Sequence, residues 1–84
     1  MVEPVPKYLF RIYCQLWVEF GENEFYNEEA EGIIKKSKKY SIQALHYLRK
    51  NGWLKSRGSS KEDRRRHINK LVNPMDIVNR IGKQ

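Results

Sequence analysis

Apolar residues recur at the three- and four-residue steps of a helix over two long stretches of the chain. From Lys7 to about Phe20 the residues Leu9, Ile12, Tyr13, Leu16 and Phe20 form one stripe, which predicts a helix starting just after Pro4 and Pro6. Phe10, Cys14, Trp17 and Val18 fall elsewhere on the wheel, so this helix is apolar around more of its circumference than one small domain requires. Gly21-Glu22-Asn23 punctuates its end, and Glu24-Phe25-Tyr26 suits a short edge strand. Asn27 followed by Glu28 and Glu29 reads as a helix start, with the Asn27 side chain as cap and the acids facing the positive end of the helix dipole. Ala30, Ile33 and Ile34 supply the inward side of this short second helix. Lys35-Lys36-Ser37-Lys38-Lys39 then forms a turn that enters a third helix, with Ser37 as its cap.

The third helix, about 38–51, buries Ser41, Ala44, Leu45 and Leu48 and turns Lys39, Gln43, His46, Tyr47 and Lys50 to the opposite side. Asn51-Gly52 stops it in the manner of a left-handed cap. Trp53 to Arg57 forms a short strand, Gly58-Ser59-Ser60 a turn-rich tip, and His67 to Val72 the returning strand. In the tail, Asn73 caps and Pro74 opens one or two further turns of helix ending at Gly82, with Met75, Ile77, Val78 and Ile81 apolar. The sum is one α+β, mostly helical domain over residues 1–84: a three-helix core, a two- or three-stranded β-wing and a short C-terminal helix. That order is the layout of a winged helix-turn-helix.

Charge sharpens this picture. Residues 1–34 carry Lys7 and Arg11 against seven glutamates, a balance of −5, and residues 35–84 carry fifteen Lys and Arg against three acids, +12, which together return the formal +7. Segregation of this kind makes one end of a small molecule an electrostatic target for polyanions, nucleic acid being the commonest. Lys35, Lys36, Lys38 and Lys39 cluster at the start of the third helix, where free amides and the dipole add to their pull on phosphate; Lys35 and Lys36 are assigned to positioning on the backbone. Gln43 and His46 have the chemistry for base edges, while Tyr40 and Tyr47 suit a sugar or a thymine methyl, and Lys50 lies on the same face. Arg57, Lys61, Arg64, Arg65 and Arg66 load the neighbouring loop for phosphates or the minor groove.

The segment LRKNGWLKSRGSSKEDRRRHINKLV is similar to the recognition-helix end and wing of the MarR-like winged-helix regulators, through Leu48, Gly52, Trp53, Leu54, Arg57, Asp63, Arg65 and Leu71. The resemblance implies that Asp63 supports the wing by bracing neighbouring arginines and that Arg65 is the contact that enters the minor groove. This sequence departs from the pattern in a wing about one residue longer, in Asn69 where an apolar strand residue is usual, and in Val72 where Thr is typical. It is also too short for that family's flanking dimerisation helices and ligand pocket, so no small-molecule ligand is expected.

These readings converge on a sequence-specific, double-stranded-DNA-binding transcriptional regulator, most simply a dimeric repressor. Phe10, Tyr13, Cys14 and Trp17 on the first helix, with Ile77 and Ile81 of the tail, form its expected homodimer interface. The alternative is a winged-helix module of a larger assembly that binds a protein or structured RNA, with which Trp53, Tyr40 and Tyr47 are compatible. No cofactor, metal or membrane partner is expected: the glycines are scattered, His46 and His67 lack ligand-spaced partners, and no apolar run approaches the ~18 residues of a bilayer span. No catalytic residues are assigned, and Glu28, Glu29 and Glu31 crowd a helix start, where acids are stabilising without any chemistry. The single Cys14 reads as a buried thiol, and the N-terminus lacks a secretory pattern, which gives an expectation of a cytoplasmic protein.

Overall fold

The computed structural model describes residues 2–58 and 67–83. Its elements follow in the order α1 (Lys7–Phe20), β1 (Phe25–Tyr26), α2 (Asn27–Ile34), α3 (Lys38–Lys50), β2 (Leu54–Gly58), β3 (His67–Leu71) and α4 (Pro74–Gly82). The helix periodicities and the β-hairpin expected from the sequence are therefore all present, and α4, at nine residues, is longer than one or two turns.

The core gathers Leu9, Ile12, Tyr13 and Leu16 from α1, Ala30 and Ile34 from α2, Ala44, Leu45 and Leu48 from α3, and Leu54, Leu71 and Ile77 from the remaining elements. Trp53 is buried at its centre: its indole N–H donates to the Glu3 carbonyl at 2.7 Å, and its ring meets Tyr13 and Phe10 edge-on. Trp53 is thus a core residue and not a surface aromatic open to a protein partner. Buried polar N–H groups of this kind require an acceptor, and here a backbone carbonyl supplies it. Helix α3 ends in a Schellman motif, in which Gly52 (φ +86°) donates to Arg49 at 3.1 Å and Trp53 donates to Leu48 at 2.9 Å. The left-handed conformation expected at Asn51-Gly52 falls on the glycine.

The sheet is antiparallel with order β1-β3-β2, and Asn69 of the central strand pairs with Phe25 on one side and Ser56 on the other. Its side chain is 1% exposed and still fully bonded. The amide donates to Asn27 Oδ1 at 2.7 Å and to the Phe25 carbonyl at 3.5 Å, while its oxygen accepts from the Ser56 hydroxyl at 2.6 Å. This explains an amide at a position where an apolar residue was usual: it ties three elements together with every polar group satisfied. It also corrects the start of α2. The cap position is Tyr26, whose N–H is accepted by Glu29 Oε1 at 3.0 Å, and Asn27 is spent on Asn69.

Helix α4 begins as its sequence requires. The Asn73 side chain accepts from Met75 N–H at 2.8 Å, and Pro74 occupies the first turn. Among the described residues no helix is long and apolar enough to cross a membrane. Tyr13 anchors the approach to α4 by donating its hydroxyl to the Val72 carbonyl at 2.5 Å. Burial, and secondarily the charge of the adjacent Cys14, pushes its pKa up to about 12. The unfolded chain ionises first, near pH 10, so stability held by this group is complete below pH 10 and is lost as pH rises toward 12. Denaturant titrations of wild type and Tyr13→Phe should show the variant less stable at pH 7 by about 1–2 kcal/mol. That gap should shrink between pH 10 and 12, and parallel curves would exclude the linkage.

Candidate nucleic-acid interface

Helix α2, a three-residue turn and α3 form a helix-turn-helix. No glycine is present in the turn, and Lys35 itself takes the left-handed conformation (φ 59°, ψ 36°), donating its N–H to the Glu31 carbonyl at 3.0 Å. Ser37 then caps α3 as its sequence predicts, accepting from Tyr40 N–H at 3.1 Å, while its carbonyl accepts from both the backbone N–H and the hydroxyl of Ser41, each at 3.0 Å. The Ser41 hydroxyl, facing the core, is satisfied in the process.

Because α3 buries only Ser41, Ala44, Leu45 and Leu48, its remaining circumference faces solvent. Lys38, Lys39, Gln43, His46, Tyr47 and Lys50 are exposed as expected, Tyr40 is half-buried, and Lys35 and Lys36 are exposed at the turn. Ile42 and Arg49 share this surface and were absent from the sequence-based set. Periodicity alone carried the signal for both, since neither fits the buried stripe. The Arg49 guanidinium lies 3.3 Å from His46 Nδ1, so two potential base-reading or phosphate-binding groups hold each other one turn apart. Ile42, an exposed apolar side chain on a polar face, has the shape for a thymine methyl. No acid occurs anywhere from Gly32 to Lys61, so nothing on the helix opposes an approaching anion.

A cleft runs along each flank of α3. On one side Ile42, Gln43, His46 and Arg49 face Asn27 and Asn69 across a space of about 360 Å³. On the other, Tyr8 of α1 meets Tyr40, Gln43 and Tyr47. Strands β2 and β3 lead from this region into the wing. Arg57 is exposed on β2, and its Nη2 and Nε bond Glu24 Oε2 at 2.8 and 3.1 Å. Glu24, 33 residues away in sequence, is a brace that sequence reasoning did not find. Lys61, Asp63, Arg64, Arg65 and Arg66 lie outside the described residues.

On the opposite flank of α1, a groove of about 600 Å³ is lined almost wholly by apolar side chains, among them Phe10, Cys14, Trp17, Pro74 and Ile81. Tyr13 and Ile77 line it too but are buried within the chain, so of the six residues assigned to an interface these two form its floor. Val18 and Val78, 86% and 61% exposed, are large apolar lining residues open to solvent.

The chain resembles a solved structure, "Crystal Structure of MarR", with a TM-score of 0.65 over 94% of its length and 19% identity. The fold is a MarR-like winged helix. The alignment covers 56% of that second chain, so this sequence spans little more than half of its length. No family model matches, and no curated protein matches. In this fold α3 is the second helix of the helix-turn-helix, and the antiparallel β2–β3 ribbon follows it.

The left-handed Lys35 is the costliest backbone position of the helix-turn-helix. A non-glycine residue there costs about 1–2 kcal/mol, while glycine loses some 0.4–1 kcal/mol more chain entropy on folding. Lys35→Gly should therefore stabilise the fold by about 0.5–1 kcal/mol, raising Tm by roughly 3–6 °C in a thermal melt. A lower Tm would show that the Lys35 side chain contributes more than its backbone costs.

Proposed function

We propose that this winged helix is a sequence-specific double-stranded-DNA-binding protein that acts as a dimeric transcriptional repressor, occluding a promoter at a palindromic site. The observation that carries the reading is the solvent face of α3. It presents Lys38, Lys39, Gln43, His46, Tyr47, Arg49 and Lys50 with no acid among them, on a helix capped at both ends and seated by a narrow stripe. An α-helix fits the major groove of B-DNA, where Gln43 can pair in two-pronged fashion with adenine and His46 can donate to guanine. Lys35, Lys36, Lys38 and Lys39 position the chain on phosphates. In this reading Arg57, Lys61 and Arg64 to Arg66 place the wing over the adjacent minor groove, with Asp63 bracing its arginines and Arg65 entering the groove.

The second surface supports a two-fold arrangement. A recognition helix alone contacts only a few base pairs, and a dimer doubles this by setting two helices about one turn of DNA apart. The apolar groove between α1 and α4 supports self-association, because Val18, Val78 and Phe10 are large apolar groups left in water by the single chain.

A mobility-shift titration with duplex, single-stranded DNA and RNA competitors tests the first claim, and duplex should compete best. Preference for structured RNA would instead favour the module of a larger assembly. On a selected duplex, Gln43→Ala should cost about 1–3 kcal/mol and relax the preference for particular bases. A uniform loss across sequences would reassign Gln43 to the backbone. Arg65→Ala should weaken binding several-fold and lower the salt slope by about one unit, and an unchanged slope would remove the wing from the mechanism. For the dimer, Val78→Glu should shift the mass measured by sedimentation from two chains to one and weaken binding to a palindrome by about 100-fold through lost avidity. A wild-type monomer at micromolar concentration would defeat this part of the proposal.

A further inference from the structure

Charge on α1 changes sign along the helix. Lys7 and Arg11 are its only charges before Glu19, and Glu22 follows just beyond its end. Helix periodicity sets Lys7 and Arg11 on the stripe of Cys14 and Val18, which lines the apolar groove. Lys7, Arg11 and Val18 are exposed, and Cys14 is half-buried. At the far end Glu22, also exposed, accepts from Asn73 Nδ2 at 3.1 Å, next to the groove-lining Pro74. Lys55 and Lys70 share a second cleft with Glu22, yet among the described residues no cation pairs with it. The α1 border of the groove is therefore basic at one end and acidic at the other.

Between these ends the surface is apolar and fits its own copy. Val18, 86% exposed, is a ridge left in water by its own chain, and Phe10, 50% exposed, is a ring on the groove wall. They flank Cys14 symmetrically, one turn before it and one after, a span of about 12 Å. A two-fold axis through Cys14 and perpendicular to α1 makes the two helices antiparallel and seats each Val18 on Phe10 of the other chain. The same operation carries Lys7 to the partner's Glu22 and Arg11 to the partner's Trp17, where guanidinium and indole attract. An axis running along α1 would instead set Lys7 on Lys7 and Arg11 on Arg11, bringing like charges together.

We infer that the homodimer forms by antiparallel pairing of α1 about Cys14, with Lys7 and Arg11 of each chain lying against the acidic end of α1 in the other. The inference rests on the self-association proposed above and adds the direction of the two chains and the charges that select it. Local pairing and overall charge act in opposite directions here. Two chains of formal charge +7 repel as wholes, so removing cations strengthens association unless those cations hold a partner.

Lys7→Glu combined with Arg11→Glu lowers the formal charge from +7 to +3, each change removing two units. Despite that relief, the variant should dimerise roughly 10-fold more weakly in low-salt sedimentation equilibrium. Both positions are exposed, and an acid in the first turn suits the helix dipole, so the melting temperature of the dilute protein should not fall. Adding Glu22→Lys to this variant should recover most of the lost affinity. In a Cys14→Ser background, Lys7→Cys chains mixed with Glu22→Cys chains should be joined by a short bis-maleimide, and Lys7→Cys chains alone should not. A dimeric mass with Lys7→Cys chains linking to themselves, or with equal or tighter association in the Lys7 and Arg11 variant, would overturn the antiparallel pairing and leave self-association standing. A wild-type monomer at every salt concentration would overturn both.

Discussion

Ser41 and Leu48 lie two turns apart on α3, and both are almost fully withdrawn from water. Between them Ala44 and Leu45 complete a stripe so narrow that the helix sits close on the core while most of its circumference stays outside. Two small residues in four permit that approach. A wider stripe would bury the polar residues that make the surface useful, and a narrower one would leave the helix unanchored in a domain this small. Ser37 at one end and the Gly52 turn at the other fix where the helix starts and stops, so the stripe also fixes its rotation about its own axis. Which side chains can meet a ligand follows from that rotation.

The molecule divides its remaining surface between two chemistries, and α1 separates them. One side of α1 faces Tyr40 and Tyr47, and the other opens on the apolar groove toward α4. Tyr13 and Trp53 stack the interior between these sides edge-on at 5.1 Å, each with its polar atom given to a backbone carbonyl. Rigid aromatic packing across the middle of a small domain transmits position well because such interiors are close-packed. A second copy seated on the groove would thus be held at a fixed distance from whatever α3 touches.

Much of this was readable in the sequence because it is local. Helix limits at Lys7, Ser37 and Gly52 depend on caps and breakers a few residues away, and α3's two faces depend on a period. Asn27 shows where locality fails: an asparagine before two glutamates looks like a cap, but Asn69, 42 residues on, claims its side chain. Glu24 and Arg57 find each other across 33 residues for the same reason. Trp53 looked like a strand residue with a free ring, and only the chain's N-terminal segment folding back to offer the Glu3 carbonyl makes it interior. The left-handed Lys35 was invisible because lysine carries no sign of that conformation. Counting charge by halves concealed the basic start of α1, since glutamates from position 19 onward outweigh it. Of the wing, Arg57 lies within the described residues, and Lys61 to Arg66 lie beyond them.

The sheet's outer strand carries one more consequence. With β3 in the middle and β1 only two residues long, β2 is the long edge, and among the described residues its far side pairs with no strand. A bare ribbon of five residues invites another molecule's backbone to add to it, the first step toward fibrous association. Lys55 and the Arg57–Glu24 pair stand exposed along that ribbon, and an identical edge arriving antiparallel would have to bring charged groups against them. Charge along this edge therefore opposes strand addition, quite apart from any use it has on a polyanion.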